Sequence, residues 1–204
     1  NINSKSLTLK NIKFINSKGT AITSKGCDLT IINCTFENNG GERKYDSIEQ
    51  LYYVSGCEFG AINAQKGKFT LINSTFSNNL GDDCYSVSAS NCDVYFENDT
   101  FTNHKFEQMS GRDIIVGLEN AKSQLINCTF KDNTVDAIYT DSYSKIKNCL
   151  FENNRQAVIS FGYLEETNSN VTLDILNSTF KNNNGFSGNE WLLDKKYPLN
   201  PPHK

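Results

Sequence analysis

One phrase, Ile31-Ile32-Asn33-Cys34-Thr35-Phe36-Glu37-Asn38-Asn39, recurs in variant form along the chain. Its relatives are Asn11-Ile12-Lys13-Phe14, Asn73-Ser74-Thr75-Phe76, Asn98-Asp99-Thr100-Phe101, Asn127-Cys128-Thr129-Phe130, Asn148-Cys149-Leu150-Phe151 and Asn177-Ser178-Thr179-Phe180. Counted on the leading Asn, successive copies stand 22, 40, 25, 29, 21 and 29 residues apart. A unit of about 21 residues, with insertions of varying length, therefore repeats seven times. Within a unit the apolar residues alternate, as in Leu29-x-Ile31 and Cys34-x-Phe36, which is the period of strands showing one face inward. A further short strand follows the Phe, at Ala21-Ile22, Ala61-Ile62, Ser86-Val87, Ile115-Val116, Ala137-Ile138 and Ala157-Val158.

Three short strands per unit cannot bury their inner faces alone. Stacked as coils about 4.8 Å apart, they form one continuous core, so the sequence predicts an all-β parallel β-helix, a solenoid of about seven coils. Like residues then form ladders. One holds Phe14, Phe36, Phe76, Phe101, Phe130, Phe151 and Phe180 with their rings stacked. The other holds the turn Asn residues, which tolerate the left-handed backbone of a tight corner and bond to their neighbours above and below. We expect these Asn side chains to point inward. Gly26 and Gly67, with Asn91, mark a second corner at positive φ. The solenoid spans 1–184, with insertions at 40–60, 104–113 and 161–170, and 185–204 is a tail or cap. All three prolines fall in that tail, where Trp191-Leu192-Leu193 would cover the open end of the stack.

Composition narrows the partners. A net charge of −3 with no basic stripe argues against nucleic acid. No apolar run reaches membrane-spanning length, and nothing in the sequence calls for a cofactor. The chain starts inside the repeat, without an initiator Met, as a processed or excised piece of a longer protein would. Cysteines number seven. Cys34, Cys128 and Cys149 share a repeat position with Ile12, Ser74 and Ser178, so they read as small core residues. Cys128 and Cys149 fall on adjacent coils, within disulfide range. No Cys/His spacing suggests zinc.

Leu-Thr-Ile-Ile-Asn-Cys-Thr-Phe resembles the rungs of right-handed β-helices of the pectin-lyase-like superfamily, which carries such an Asn ladder. The Phe-x-x-Asn step (Phe36 to Asn39, Phe76 to Asn79, Phe130 to Asn133, Phe151 to Asn154, Phe180 to Asn183) and Gly60-Ala61-Ile62 are similar to the repeats of polymorphic outer-membrane proteins and Asn-rich adhesin-like surface proteins. Gly81-Asp82-Asp83-Cys84-Tyr85 resembles the Asp-Asp-Cys segment of polygalacturonase-type glycosidases. That resemblance implies a polysaccharide-acting glycosidase or lyase in which Asp82 and Asp83 divide acid and base roles on a glycosidic bond. Other members of that family's constellation are absent. Cys57-Glu58-Phe59-Gly60 and Gly111-Arg112-Asp113 stand where it has Asn-Thr-Asp and Gly-His-Gly, and its Arg-Ile-Lys is not found near Ile138-Tyr139-Thr140. An enzyme would need Glu58, Arg112 or Asp113 as a third group. The alternatives for Asp82 and Asp83 are plain turn residues opening a strand, or oxygen ligands for calcium together with Asp113.

Six N-x-Ser/Thr sequons begin at Asn33, Asn73, Asn98, Asn127, Asn170 and Asn177. Five are ladder residues whose amides the ladder would engage, which leaves Asn170, in an insertion, as the best glycan acceptor. Tyr45, Tyr52, Tyr53 and Tyr85 either form a sugar- or protein-binding patch or pack the long insertion onto the stack. Together these features suggest a non-catalytic extracellular or cell-surface module, adhesin-like or filament-forming. Its partner would be a protein, a carbohydrate or further copies of itself. The polysaccharide-acting enzyme and a carbohydrate-binding β-helix are the alternatives.

Overall fold

A computed structural model describes residues 5–48, 51–55, 59–79, 81, 85–105, 114–155, 158–161 and 171–184. The first coil holds β1 (Ser6–Lys10) and β2 (Lys13–Ile15), and the second β3 (Ile22–Lys25), β4 (Asp28–Ile32) and β5 (Thr35–Glu37). A hairpin of β6 (Glu42–Asp46) and β7 (Leu51–Ser55) then interrupts the winding. The third coil is β8 (Phe59–Ile72) and β9 (Thr75–Ser77), the fourth β10 (Tyr85–Glu97) and β11 (Thr100–Thr102). The fifth holds β12 (Ile114–Glu119), β13 (Lys122–Ile126) and β14 (Thr129–Lys131), the sixth β15 (Asp136–Thr140), β16 (Ser144–Lys147) and β17 (Leu150–Glu152). The last holds β18 (Ile159–Phe161), β19 (Leu173–Leu176) and β20 (Thr179–Lys181).

The Phe-bearing strands form one parallel sheet in the order β2-β5-β9-β11-β14-β17-β20, seven rungs spanning about six turns. The other strands form an eleven-stranded sheet rather than two separate ones. They merge because β8 and β10 run unbroken through the second corner. That corner is turned by left-handed residues at equivalent register: Gly26 (φ 68°), Lys66 (φ 60°), Asn91 (φ 56°) and Asn120 (φ 46°). Gly67 (φ 126°) lies one place further on, where a Cβ would come within 2.9 Å of the Cys27 carbonyl oxygen.

Asn11, Asn33, Asn73, Asn98, Asn127, Asn148 and Asn177 all sit at φ between 50 and 58° and form the expected corner. Asn127 Nδ2 donates to Asn98 Oδ1 at 3.1 Å, and Asn148 Nδ2 to Asn127 Oδ1 at 3.2 Å. Their direction corrects the sequence reading, because these side chains are exposed. A left-handed residue at a tight corner turns its side chain outward, and the next residue takes the inward place. That inward row is Cys34, Ser74, Asp99, Cys128, Cys149 and Ser178. Its members accept backbone N–H groups across coils: Cys34 N–H donates to Ser74 Oγ at 3.2 Å, and Cys149 N–H to Ser178 Oγ at 3.1 Å. Cys128 and Cys149 are free thiols here. Instead of a disulfide, Cys149 Sγ accepts the Cys128 N–H at 3.4 Å, as a serine oxygen does elsewhere in the row.

The Phe-x-x-Asn step marks a different, buried ladder. After each Phe strand a left-handed residue, an exposed Asn or the half-buried Asp132, turns the chain, and the following residue points toward the core. Asn39, Asn79, Asn133 and Asn154 are buried there, and the half-buried Asn183 ends the row. Each donates Nδ2 to the carbonyl of the Phe one coil earlier, from Asn39 to Phe14 (2.8 Å) through to Asn183 to Phe151 (2.8 Å). Their Oδ1 atoms accept N–H groups from Ser17, Asn39, His104 and Asn154. Buried amides are tolerated because they are bonded in this way, at a net gain of about 1 kcal/mol per bond. His104, assigned from sequence to an insertion, instead occupies this ladder on the fourth coil.

The seven Phe rings stack with centroids 4.7–5.1 Å apart and planes within 15°. Leu29, Ile31, Phe69, Leu71, Phe96, Leu125 and Ile146 fill the opposite side of the same core. The tail 185–204, with Trp191, lies outside the described residues.

Candidate functional site

Glu58, Asp82, Asp83, Arg112 and Asp113 all lie outside the described residues, as does Asn170. What is described beside them is Tyr85, the first residue of β10, at a register shift between Tyr85 and Val87. Its ring lies over Gly117 on the next coil, where a Cβ would sit 2.4 Å from Tyr85 Cε1. Glycine is required at 117 so that the ring can lie flat on the sheet. The Tyr85 hydroxyl donates to Glu119 Oε1 at 3.1 Å, and Phe59 stacks behind it with ring centroids 6.2 Å apart. Asn63 and Ser88 are register partners on the neighbouring strands, and the Asn63 Oδ1 is buried without a hydrogen-bond partner. Of the two roles open to Tyr85, packing onto the stack is the one its ring plays here.

The hairpin is the second feature. β6 and β7 pair antiparallel as a two-stranded sheet of their own, with Tyr45 opposite Tyr52. Two large apolar residues of its first arm and turn are exposed, Tyr45 by 54% and Ile48 by 87%. From sequence this stretch read only as a long insertion, because its apolar residues do not follow the repeat.

An open groove of about 630 Å³ follows the second corner. It passes Asp28, Lys68, Asp93 and Lys122, which alternate in sign on successive coils, and ends at Tyr143. Lys68 N–H donates to Asp28 Oδ1 at 2.9 Å, and Tyr143 OH to Asp174 Oδ2 at 3.1 Å, a bond that raises the tyrosine pKa. The charges neutralise one another along the corner, so the groove presents no single sign to a ligand. Among the described residues no group of three or more His, Cys, Asp or Glu is placed to hold a metal ion, and no helix is long and apolar enough to cross a membrane.

His104 and Asp99 are two fully buried ionisable groups that sequence reasoning passed over. His104 is fully buried, with Nε2 3.0 Å from Ser86 Oγ and Nδ1 3.3 Å from Asn133 Oδ1. Burial pushes its pKa down to about 4, against the pull of its bonds to Asn133 and Thr102, so the ring is neutral at pH 7. Only its position in the Phe-x-x-Asn register, Phe101 to His104, could have revealed the role.

A family profile described as "Right handed beta helix region" matches residues 60–189, more than half of the chain. The chain belongs to the right-handed β-helix family. No curated protein and no solved structure gives a significant match. Membership accounts for the winding, the parallel register and the ladders of this β-helix. It assigns no chemistry, since one fold carries many functions.

Proposed function

We propose that this β-helix is a non-catalytic extracellular or cell-surface rod, adhesin-like in use, that holds the β6–β7 hairpin out to a protein or carbohydrate partner. The observation that carries the reading is the hairpin itself: a separate two-stranded sheet with exposed Tyr45 and Ile48, rooted between the second and third coils of a stack held in register on every side. Exposed aromatic and aliphatic residues on a rigid mount suit recognition, because little freedom is lost on binding.

The test uses purified protein on immobilised polysaccharides and on intact cells. Binding that falls at least tenfold in a Tyr45→Ala/Ile48→Ser variant, with unchanged circular dichroism, supports the reading. Undiminished binding overturns it. Release of reducing sugar ends that disappears in Asp82→Asn and Asp83→Asn variants would replace it with the glycosidase.

A further inference from the structure

On five of the seven coils the inward row of the first corner carries a small neutral polar side chain, Cys34, Ser74, Cys128, Cys149 or Ser178, while Ile12 stands on the first coil and Asp99 between Ser74 and Cys128. Asp99 is 0% exposed. Its Oδ1 accepts the Ser74 N–H at 2.7 Å, while its Oδ2 is buried with no partner. An ionised carboxylate with one oxygen in a dry apolar core loses its hydration without compensation, and such a group takes up a proton instead. We infer that Asp99 is carried as the neutral acid, and that its proton is a structural part of the third, fourth and fifth coils, so that a rise in pH loosens the stack there.

The surroundings agree. The third coil presents Ser74, which does not titrate. From the fifth comes Cys128, whose thiol is kept neutral by its hydrogen bond to Cys149 and by burial, both of which push it up. On Asp99's own coil, the Glu97 charge disfavours a second negative charge. Desolvation is the largest influence and, against the hydrogen bond from the Ser74 backbone, brings the Asp99 pKa from 3.8 up to about 7. The folded state then binds more protons than the unfolded chain between those values. Stability from this group is complete below 3.8 and is lost as pH rises through about 7. His104 works in the opposite sense: its stabilising contribution is present above 6.5 and lost as pH falls through about 4. The two offset each other across mild acid, so the signal must be read as a difference between variants.

Urea unfolding of the wild type is compared with Asp99→Ser and Asp99→Asn at pH 5, 6, 7 and 8. The wild-type unfolding constant should rise relative to either variant by about tenfold per pH unit up to pH 7, then level off. A ratio that does not change with pH overturns the inference. Should neither variant fold, infrared spectra of the wild type labelled with ¹³C-aspartate decide the matter. A protonated-carboxyl band at pH 6 that is gone by pH 9 upholds it, and carboxylate bands alone at pH 6 overturn it.

Discussion

At the scale of single residues, the chain is governed by which side chain occupies each ladder rung. His104 stands where Asn39, Asn79 and Asn133 offer a carbonyl oxygen and an amide to adjacent coils. His104→Asn would restore that pattern and remove a base that must stay neutral. At pH 7 the variant should match the wild type within about 1 kcal/mol. At pH 5 it should be the more stable by about 2 kcal/mol, since the histidine penalty grows from its unfolded pKa of 6.5 down to about 4. Urea midpoints at the two pH values check both. The second corner makes a similar argument about the backbone. Lys66 holds φ 60° at a register place that Gly26, Asn91 and Asn120 fill elsewhere. Left-handed backbone is strained for a lysine and free for glycine, whose greater unfolded entropy takes back part of the gain. Lys66→Gly should therefore stabilise by about 0.5–1 kcal/mol, seen as a higher thermal midpoint.

At the scale of elements, the Phe strands were legible because nothing competes with their pattern: an aromatic two places after each inward corner residue can only stack on its equivalents. The consequences differ along the stack. Phe101 is sandwiched between Phe76 and Phe130 and fully buried, whereas Phe180, on the last Phe rung, is 37% exposed. Phe101→Ala should cost about 3–5 kcal/mol and Phe180→Ala clearly less, compared by denaturant titration. Equal losses would show that burial between two neighbouring rings does not set a rung's contribution. The direction of the first Asn ladder was harder to read. Between two strands sits a pair such as Asn33-Cys34, either of which could face inward, and the mixture of Cys, Ser and Asp at the second place hid its burial. Only the left-handed φ of the Asn decides it. Asp99 was missed for the same reason: in sequence it looks like one more polar turn residue. The hairpin went unread because strands outside the solenoid keep their own period. Of the candidate catalytic residues, the spacing told only that Asp82 and Asp83 precede a strand, and that strand does begin at Tyr85.

For the whole molecule, the pairings run between neighbouring coils, so stability should be close to a sum over coils and their interfaces. The fifth repeat interval provides the cleanest cut. Asn127 and Asn148 hold the same corner position, and Ile126 pairs in register with Lys147 on the coil above. Deleting residues 127–147 joins Ile126 to Asn148 and removes β14, β15 and β16 as one complete turn. In the shortened chain β11 meets β17, β12 meets β18 and β13 meets β19. Phe101 stacks on Phe151, and His104 faces Asn154 in place of Asn133. Every ladder is thus rebuilt with a residue of the same kind. The deletion should leave a folded β-helix with an unchanged far-ultraviolet spectrum. Its dependence of unfolding energy on urea should drop by roughly one coil's share, about a seventh, because that slope follows the surface exposed. Deleting 127–146 instead, one residue fewer, puts Lys147 in the corner place of Asn127 and Asn148 in the inward place of Cys128, turns inward residues outward and should yield no cooperative unfolding at all. If the two deletions behave alike, the coils are not interchangeable units, and the additive picture of this solenoid fails.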